Sequence, residues 1–205
     1  MRADTRLCTA IVMIGICGFS VARGFGILHF SLAMANIDSS EKRGEIVNTW
    51  KSAPDVASTD LLADLTYQIN PSDQKAADRR RQTLSALVSI KPMSSYSWLS
   101  LSGLQLITDQ PMEQVFDSLE MSMLTGPYED YVVVDRRFYG VSLWERLSPD
   151  LKRRVAADVA VAEIPSNDKF RAFVSTQPEQ VRNELREALI ATGLSPKEVE
   201  KRLGL

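Results

Sequence analysis

The chain has 205 residues, 44% hydrophobic and 24% charged, which is typical of one soluble globular domain, or two small ones, and excludes wholesale disorder. Its 24 basic and 26 acidic residues give a net charge of −2, so we expect no nucleic-acid partner. Two cysteines and one histidine are too few for a disulfide framework, a zinc site or histidine-based catalysis. We therefore predict no metal site, no cofactor and no catalytic residue.

The first predicted element is an apolar segment, residues 7–22, which contains no charge and is flanked by Arg6 and Arg23. As a helix it would be about 24 Å long, somewhat shorter than the roughly 30 Å hydrocarbon core of a bilayer. It fits an uncleaved signal anchor, which we favour. It also fits a secretory signal cleaved after a small-x-small site such as residues 20–22 or 33–35. A buried core helix is the third interpretation.

Positive charge near this segment predicts its orientation. Arg2, Arg6 and the amino terminus precede it, whereas Arg23 stands alone until Lys42. The positive-inside rule then favours a cytoplasmic N-terminus in a bacterial inner membrane and a periplasmic body. We predict a membrane anchor with a juxtamembrane helix over residues 1–35 and a soluble helical domain over residues 36–205. If the segment is cleaved, the same domain would be free in the periplasm.

The soluble domain is predicted to be all-α. Helix-start signals occur at Ser148-Pro149-Asp150, and capping boxes are predicted at Thr176–Glu179 and Ser195–Glu198. Gly193 is expected to end a helix in the left-handed conformation. Tyr131–Val134 is the one strand-like stretch, and we predict that it is helical. Apolar residues recur at helical spacing in three segments: Leu84, Leu87 and Val88; Val115, Leu119 and Met123; Ala156, Val159 and Ala160.

An internal repeat suggests how the helices are arranged. Residues 83–92 and 118–127 match in phase, each with leucine second and proline last, at a separation of 35 residues. This spacing is close to the 34 residues of a tetratricopeptide repeat (TPR). We therefore predict antiparallel helix pairs in a short TPR-like α-solenoid. The predicted repeat packing positions are Trp98, Gly103, Val115, Leu119 and Pro127.

The middle of the chain also resembles a protein family. Residues 91–99 (KPMSSYSWL), 124–129 (LTGPYE), 136–137 (RR) and 143–144 (LW) resemble small, single-span, TPR-like accessory proteins of bacterial exopolysaccharide or O-antigen biosynthesis. The resemblance implies an envelope protein with no catalytic motif. Its partners would be other envelope proteins, such as a polysaccharide polymerase, ligase or export component. We expect Tyr128, Tyr131, Arg136 and Arg137 to form an interaction surface.

Three functions remain open at this stage. The first is a membrane-tethered helical-repeat adaptor, which would raise the local concentration of its partners without chemistry. The second is a secreted or periplasmic binding module, for example an assembly chaperone, with no link to polysaccharide. The third is a glycan-active enzyme that uses the acidic cluster of Glu129, Asp130, Asp135 and Glu145. Asp130 and Asp135 would not share a helix face, so we predict that the protein is not an enzyme.

Overall fold

The computed structural model describes residues 74–161 and 167–204, together with the isolated residues Phe25, Glu45, Ile46 and Thr49. The predicted anchor, both candidate cleavage sites and the predicted domain boundary at residue 35 lie outside these ranges. Within them, no helix is both long and apolar enough to cross a bilayer.

All secondary structure in the described ranges is helical, and no strand occurs there, which confirms the all-α class for this part of the chain. Tyr131–Val134 lies within a helix, as predicted. A short 3₁₀ helix spans Trp144–Arg146. The α-helices are α1 (Gln74–Ile90), α2 (Ser95–Ile107), α3 (Met112–Thr125), α4 (Asp130–Ser142), α5 (Pro149–Val161), α6 (Asn167–Ser175), α7 (Glu179–Ala191) and α8 (Pro196–Leu203).

The apolar spacing seen in the sequence corresponds to the buried helix faces. The residues buried as predicted are Leu84, Leu87 and Val88 on α1, Val115, Leu119 and Met123 on α3, and Ala156 and Val159 on α5. The two repeat segments are also equivalent in position. Each is the last part of a helix, and its proline, Pro92 or Pro127, stands two residues after the helix ends.

The described residues fall into two compact units. Helix α1 and residues 107–109 belong to the first unit, and residues 93–106, 110–161 and 167–204 to the second. In the second unit, α4 packs against α5 and α6, α5 also packs against α7, and α8 packs against α6 and α7. Trp144 is fully buried in the core of this unit, as expected of an aromatic anchor between helices.

The helix ends confirm three of the four predicted local signals. The Ser148 hydroxyl accepts a hydrogen bond from the Leu151 amide at the start of α5. Ser195 and Glu198 form a complete capping box at the start of α8. Gly193, just after α7, has φ 98°, a conformation that glycine adopts without steric cost.

The capping box predicted at Thr176 is wrong. Helix α7 begins at Glu179 and has Pro178 as its N-cap, with no side-chain cap. Thr176 stands two residues too early, and its hydroxyl donates back to the Phe173 carbonyl at 2.7 Å, in the last turn of α6.

This contrast gives a prediction with a matched control. Ser195→Ala is expected to lower the free energy of unfolding by about 1 kcal/mol, because an orphan amide of α8 loses its acceptor. Thr176→Ala is expected to change it by less than about 0.5 kcal/mol, as for an ordinary surface substitution. Urea unfolding of the two variants measures the difference, and equal effects would contradict the assignment of the cap.

Candidate interaction surface

The turn between α3 and α4 is held by a buried arginine on α4. The Arg136 guanidinium donates to both carboxylate oxygens of Asp158 on α5, from Nε at 2.6 Å and from Nη2 at 2.8 Å. Its Nη1 donates to the carbonyls of Ser122 at 2.8 Å and Gly126 at 3.1 Å. Burial raises the pKa of Asp158, and the hydrogen bonds from Arg136 oppose that shift. One side chain therefore joins the end of α3, the turn, α4 and α5.

Glu129, in the same turn, is held by two hydroxyl groups. Its Oε2 accepts hydrogen bonds from the buried Ser95 hydroxyl at the start of α2 and from the Tyr131 hydroxyl at 3.2 Å. Gly126 lies so close that an added Cβ would be 2.5 Å from Ser95 Oγ. Desolvation and the nearby Glu129 carboxylate raise the pKa of Tyr131.

Three tyrosines surround this turn and present their rings to solvent. Tyr128 is 78% exposed and Tyr131 63% exposed, and Tyr96 on α2 is also accessible. The Tyr96 and Tyr131 ring centroids are 6.1 Å apart with a tilt of 52°. We call Tyr96, Tyr128, Glu129 and Tyr131 the tyrosine surface. Exposed aromatic rings on a fixed backbone are typical of protein contact sites.

A groove of about 200 Å³ adjoins the tyrosine surface on the Tyr128 side. Of its charged lining residues, Asp158 is already bound by Arg136, and Arg154 forms an ion pair with Glu120 at 3.4 Å. The groove therefore offers mainly apolar contact. Its lining residues are Met123, Pro127, Tyr128, Arg154, Ala157, Asp158 and Val161.

The prediction that Arg136 and Arg137 belong to an interaction surface is wrong. They are 0% and 1% exposed. Helix α4 is covered by both α5 and α6, so two successive positions are buried. The Arg137 guanidinium lies over the Phe170 ring, 4.4 Å from its centroid, and burial together with Arg202 lowers its pKa to about 10. Tyr128 and Tyr131 are exposed, and their role in binding stays a prediction.

The residues predicted as repeat packing positions differ in exposure. Val115 and Leu119 are fully buried, Trp98 is half-buried and Pro127 is exposed, and their role in a repeat stays a prediction. Gly103 lies on α2, as the repeat motif predicts, but an added Cβ would meet no atom of the described residues within 4 Å, so the close helix crossing predicted there is not found among them.

The close crossing occurs instead at Gly140. An added Cβ on this α4 residue would lie 2.5 Å from Cγ2 of the buried Val155 on α5. The contact of Gly140 with α5 depends on tertiary packing, and no sequence motif predicts it.

Sequence reasoning missed Ser95, Ser102 and Asp158. The Ser102 hydroxyl bonds to the Val115 carbonyl at 2.7 Å and to the Tyr139 hydroxyl at 3.1 Å, which joins α2 to α3 and α4. The burial of Asp158 could have been predicted from the sequence. It lies on the apolar face of α5 beside Val155, and an acidic side chain buried there needs a hydrogen-bonded partner. Nothing in the local sequence marks the two serines.

The four residues of the predicted acidic cluster have different surroundings. Glu129 accepts hydrogen bonds from Ser95 on α2 and Tyr131 on α4, whereas Asp130, Asp135 and Glu145 are exposed. In the described ranges no three histidine, cysteine, aspartate or glutamate side chains are grouped as a metal site requires.

A second polar cluster lies at the junction of α5, α7 and the 3₁₀ helix. Glu184 accepts hydrogen bonds from Lys152 Nζ at 2.6 Å, from Gln180 Nε2 at 2.9 Å and from the Trp144 indole nitrogen at 3.1 Å. These donors, Lys152 first, lower the pKa of Glu184 to about 2. The cluster fixes the buried Trp144 in orientation.

The lowered pKa predicts how stability depends on pH. The ionised Glu184 stabilises the fold above its ordinary pKa of 4.5, and this contribution is lost as the pH falls towards 2. Because the carboxylate is partly exposed, the contribution is roughly 1 kcal/mol or less. Between pH 5 and pH 2, wild type should lose more stability than Glu184→Gln in urea titrations. If the stability of wild type and of Glu184→Gln fell equally between pH 5 and pH 2, the stabilising role of the ionised Glu184 would be contradicted.

Comparison with known proteins identifies no relative. No protein-family model, curated protein or solved structure matches the chain.

Proposed function

We propose that the protein is a membrane-anchored helical-repeat adaptor that works by protein–protein contact in the biosynthesis or export of cell-envelope polysaccharide, either exopolysaccharide or O-antigen. The observation that carries the contact role is the tyrosine surface on the turn held by Arg136. Such a surface provides large aromatic contact area at a small cost in conformational entropy. The polysaccharide context comes from the resemblance of residues 91–99, 124–129, 136–137 and 143–144.

A TPR-like arrangement is part of this proposal. Helices α2 and α3 have 13 and 14 residues, and Pro127 follows the second of them, as in a tetratricopeptide unit. The equivalent burial at the ends of α1 and α3 also supports a repeat, because residues 83, 84, 87 and 88 and residues 118, 119, 122 and 123 are all buried. The open space at Gly103 is a departure from the usual motif.

The proposed location is the bacterial inner membrane, with residues 7–22 as the anchor and the helical domain in the periplasm. Cell fractionation tests it. An anchored protein stays in the membrane pellet after carbonate extraction, whereas a cleaved one is released with the periplasm. Release would favour the alternative, a periplasmic binding module or assembly chaperone. The small-x-small site at residues 20–22 supports this alternative, because it is a possible cleavage site.

Photo-crosslinking in living cells tests the contact role. A photoreactive phenylalanine analogue replaces Tyr128, and in a matched control it replaces Ile190, an exposed apolar residue on α7. We expect an adduct with a polysaccharide polymerase, ligase or export component at residue 128 and none at residue 190. The same adducts at both positions, or none, would count against the adaptor role.

A complementation test addresses the enzyme alternative. Asp130 and Asp135 are exposed and could be replaced by asparagine without loss of packing. An adaptor with intact tyrosines should still complement a deletion strain, whereas a glycosidase that uses these carboxylates should not.

A further inference from the structure

The segments that contribute the tyrosine surface have an uneven distribution of charge. Residues 93–106 and 110–142 contain only two basic residues, Arg136 and Arg137, and both are buried. All of the acidic residues in these segments reach the surface, so every accessible side-chain charge there is negative. These acidic residues are Glu113, Asp117, Glu120, Glu129, Asp130 and Asp135.

Within residues 74–161 and 167–204, one of these carboxylates has a basic partner. Glu120 pairs with Arg154 on α5 at 3.4 Å. The nearest hydrogen-bonding groups of Glu129 are the hydroxyls of Ser95 and Tyr131, which fix its position without neutralising its charge. On the side of Tyr96, Glu129 and Tyr131, a partner therefore meets a negative potential, which attracts cationic groups over about 10 Å at ordinary ionic strength. On the Tyr128 side, Arg154 lines the groove, and its charge is offset by its ion pair with Glu120.

The tyrosine rings have the same preference as the carboxylates. The face of an aromatic ring attracts a cation that lies within about 6 Å of its centroid. Tyr96 and Tyr131 lie 6.1 Å apart, and the Glu129 carboxylate is bonded to the Tyr131 hydroxyl. A lysine or arginine side chain could therefore contact a ring face with its charge near Glu129, while its aliphatic stem packs on the other ring.

We propose that the tyrosine surface docks a basic segment of a partner protein, with a lysine or arginine side chain over Tyr96 and Tyr131 beside Glu129. This inference rests on the proposed contact role and specifies the chemistry of the partner. Acidic and neutral segments would lack the attraction.

Defined peptides test the preference. The full chain is purified in detergent and titrated with three fluorescent peptides of equal length, which carry lysine, serine or glutamate at alternate positions. We expect the lysine peptide to bind about tenfold more tightly than the serine peptide. This preference should nearly vanish in about 1 M salt, where the Debye length is about 3 Å. Equal affinities, or a preference for glutamate, would overturn the proposal.

Single substitutions locate the binding. Glu129→Gln and Tyr131→Ala should each weaken lysine-peptide binding by about 2- to 5-fold, the usual effect of an exposed cation–π or ionic contact. Glu113→Gln is the control, because it removes the same charge from the start of α3 and should change binding by less than a factor of two. Circular dichroism confirms that each variant is folded. If Glu113→Gln weakens binding as much as the other two variants, the weaker binding would be explained by the change in net charge alone, and the proposal would be overturned.

The outcomes separate this inference from the adaptor role. A partner crosslinked at residue 128 through a neutral or acidic segment would leave the adaptor role standing and overturn the basic-segment proposal. Selective binding of the lysine peptide without any crosslinked partner would support the basic site and count against the adaptor role. Self-association of the chain in sedimentation, abolished by Tyr131→Ala, would assign the surface to a second copy and overturn the proposal.

Discussion

Arg136→Met is expected to lower the free energy of unfolding by about 3–5 kcal/mol, the usual cost of breaking a buried ion pair from one side. The variant would leave the Asp158 carboxylate buried without its guanidinium. It would also remove the Nη1 donor from the Ser122 and Gly126 carbonyls. Urea unfolding at neutral pH measures the loss.

The double variant Arg136→Met/Asp158→Leu is the control. An apolar pair of similar volume avoids the unpaired charge, so the double variant should be more stable than the single variant. It should remain less stable than wild type, because the Ser122 and Gly126 carbonyls no longer accept from Arg136 Nη1, and the Gly126 amide still reaches that of Ser122 alone. A double variant no more stable than Arg136→Met would show that the ion pair is not the source of the loss.

Gly140→Ala is expected to destabilise the protein by about 1–3 kcal/mol through overpacking. The new methyl group would lie 2.5 Å from Val155 Cγ2 and 2.9 Å from Cγ1, and Val155 is fully buried. Helices α4 and α5 would have to move apart. Thermal and urea unfolding measure the effect.

Gly103→Ala is the matched control, since it makes the same change in another helix. Its methyl group would meet no atom within 4 Å in the described part of the chain, so the better helix propensity of alanine should stabilise the protein by about 0.5–1 kcal/mol. The two substitutions are thus predicted to have opposite signs. Destabilisation by Gly103→Ala would contradict the open space at this position and support the close crossing that the repeat motif predicts there.

A double variant tests the contact at Gly140 directly. Adding Val155→Ala to Gly140→Ala removes the methyl groups that the new Cβ would meet, so it should recover part of the lost stability.

The helices could be predicted from the sequence because their signals are local. Leu84, Leu87 and Val88 are spaced to share one helix face, and Ser195 with Glu198 satisfies helix-end amides within one turn. The helical state of Tyr131–Val134 was also predictable, because β-branched residues lower helix propensity by only a few tenths of a kcal/mol each.

The candidate site could be predicted only in part, because the sequence does not distinguish its exposed tyrosines from the buried arginines that follow them. Tyr128 and Tyr131 are accessible, as expected. Arg136 and Arg137 follow Asp135, and a run of charges ordinarily indicates a solvent-facing segment. The burial of Arg136 depends on Asp158, 22 residues away, and on carbonyls of another helix. No local pattern carries such a long-range pairing.

The Arg136 contacts have a consequence for the dynamics of the turn. Surface loops are usually the first parts of a protein to open and exchange their amide hydrogens. Here the Gly126 amide donates to the Ser122 carbonyl, and the carbonyls of both residues also accept from Arg136. In hydrogen–deuterium exchange, this amide should be protected almost as strongly as the helix interiors. The end of α3 beside the tyrosines would then open about as slowly as the helices of the described ranges.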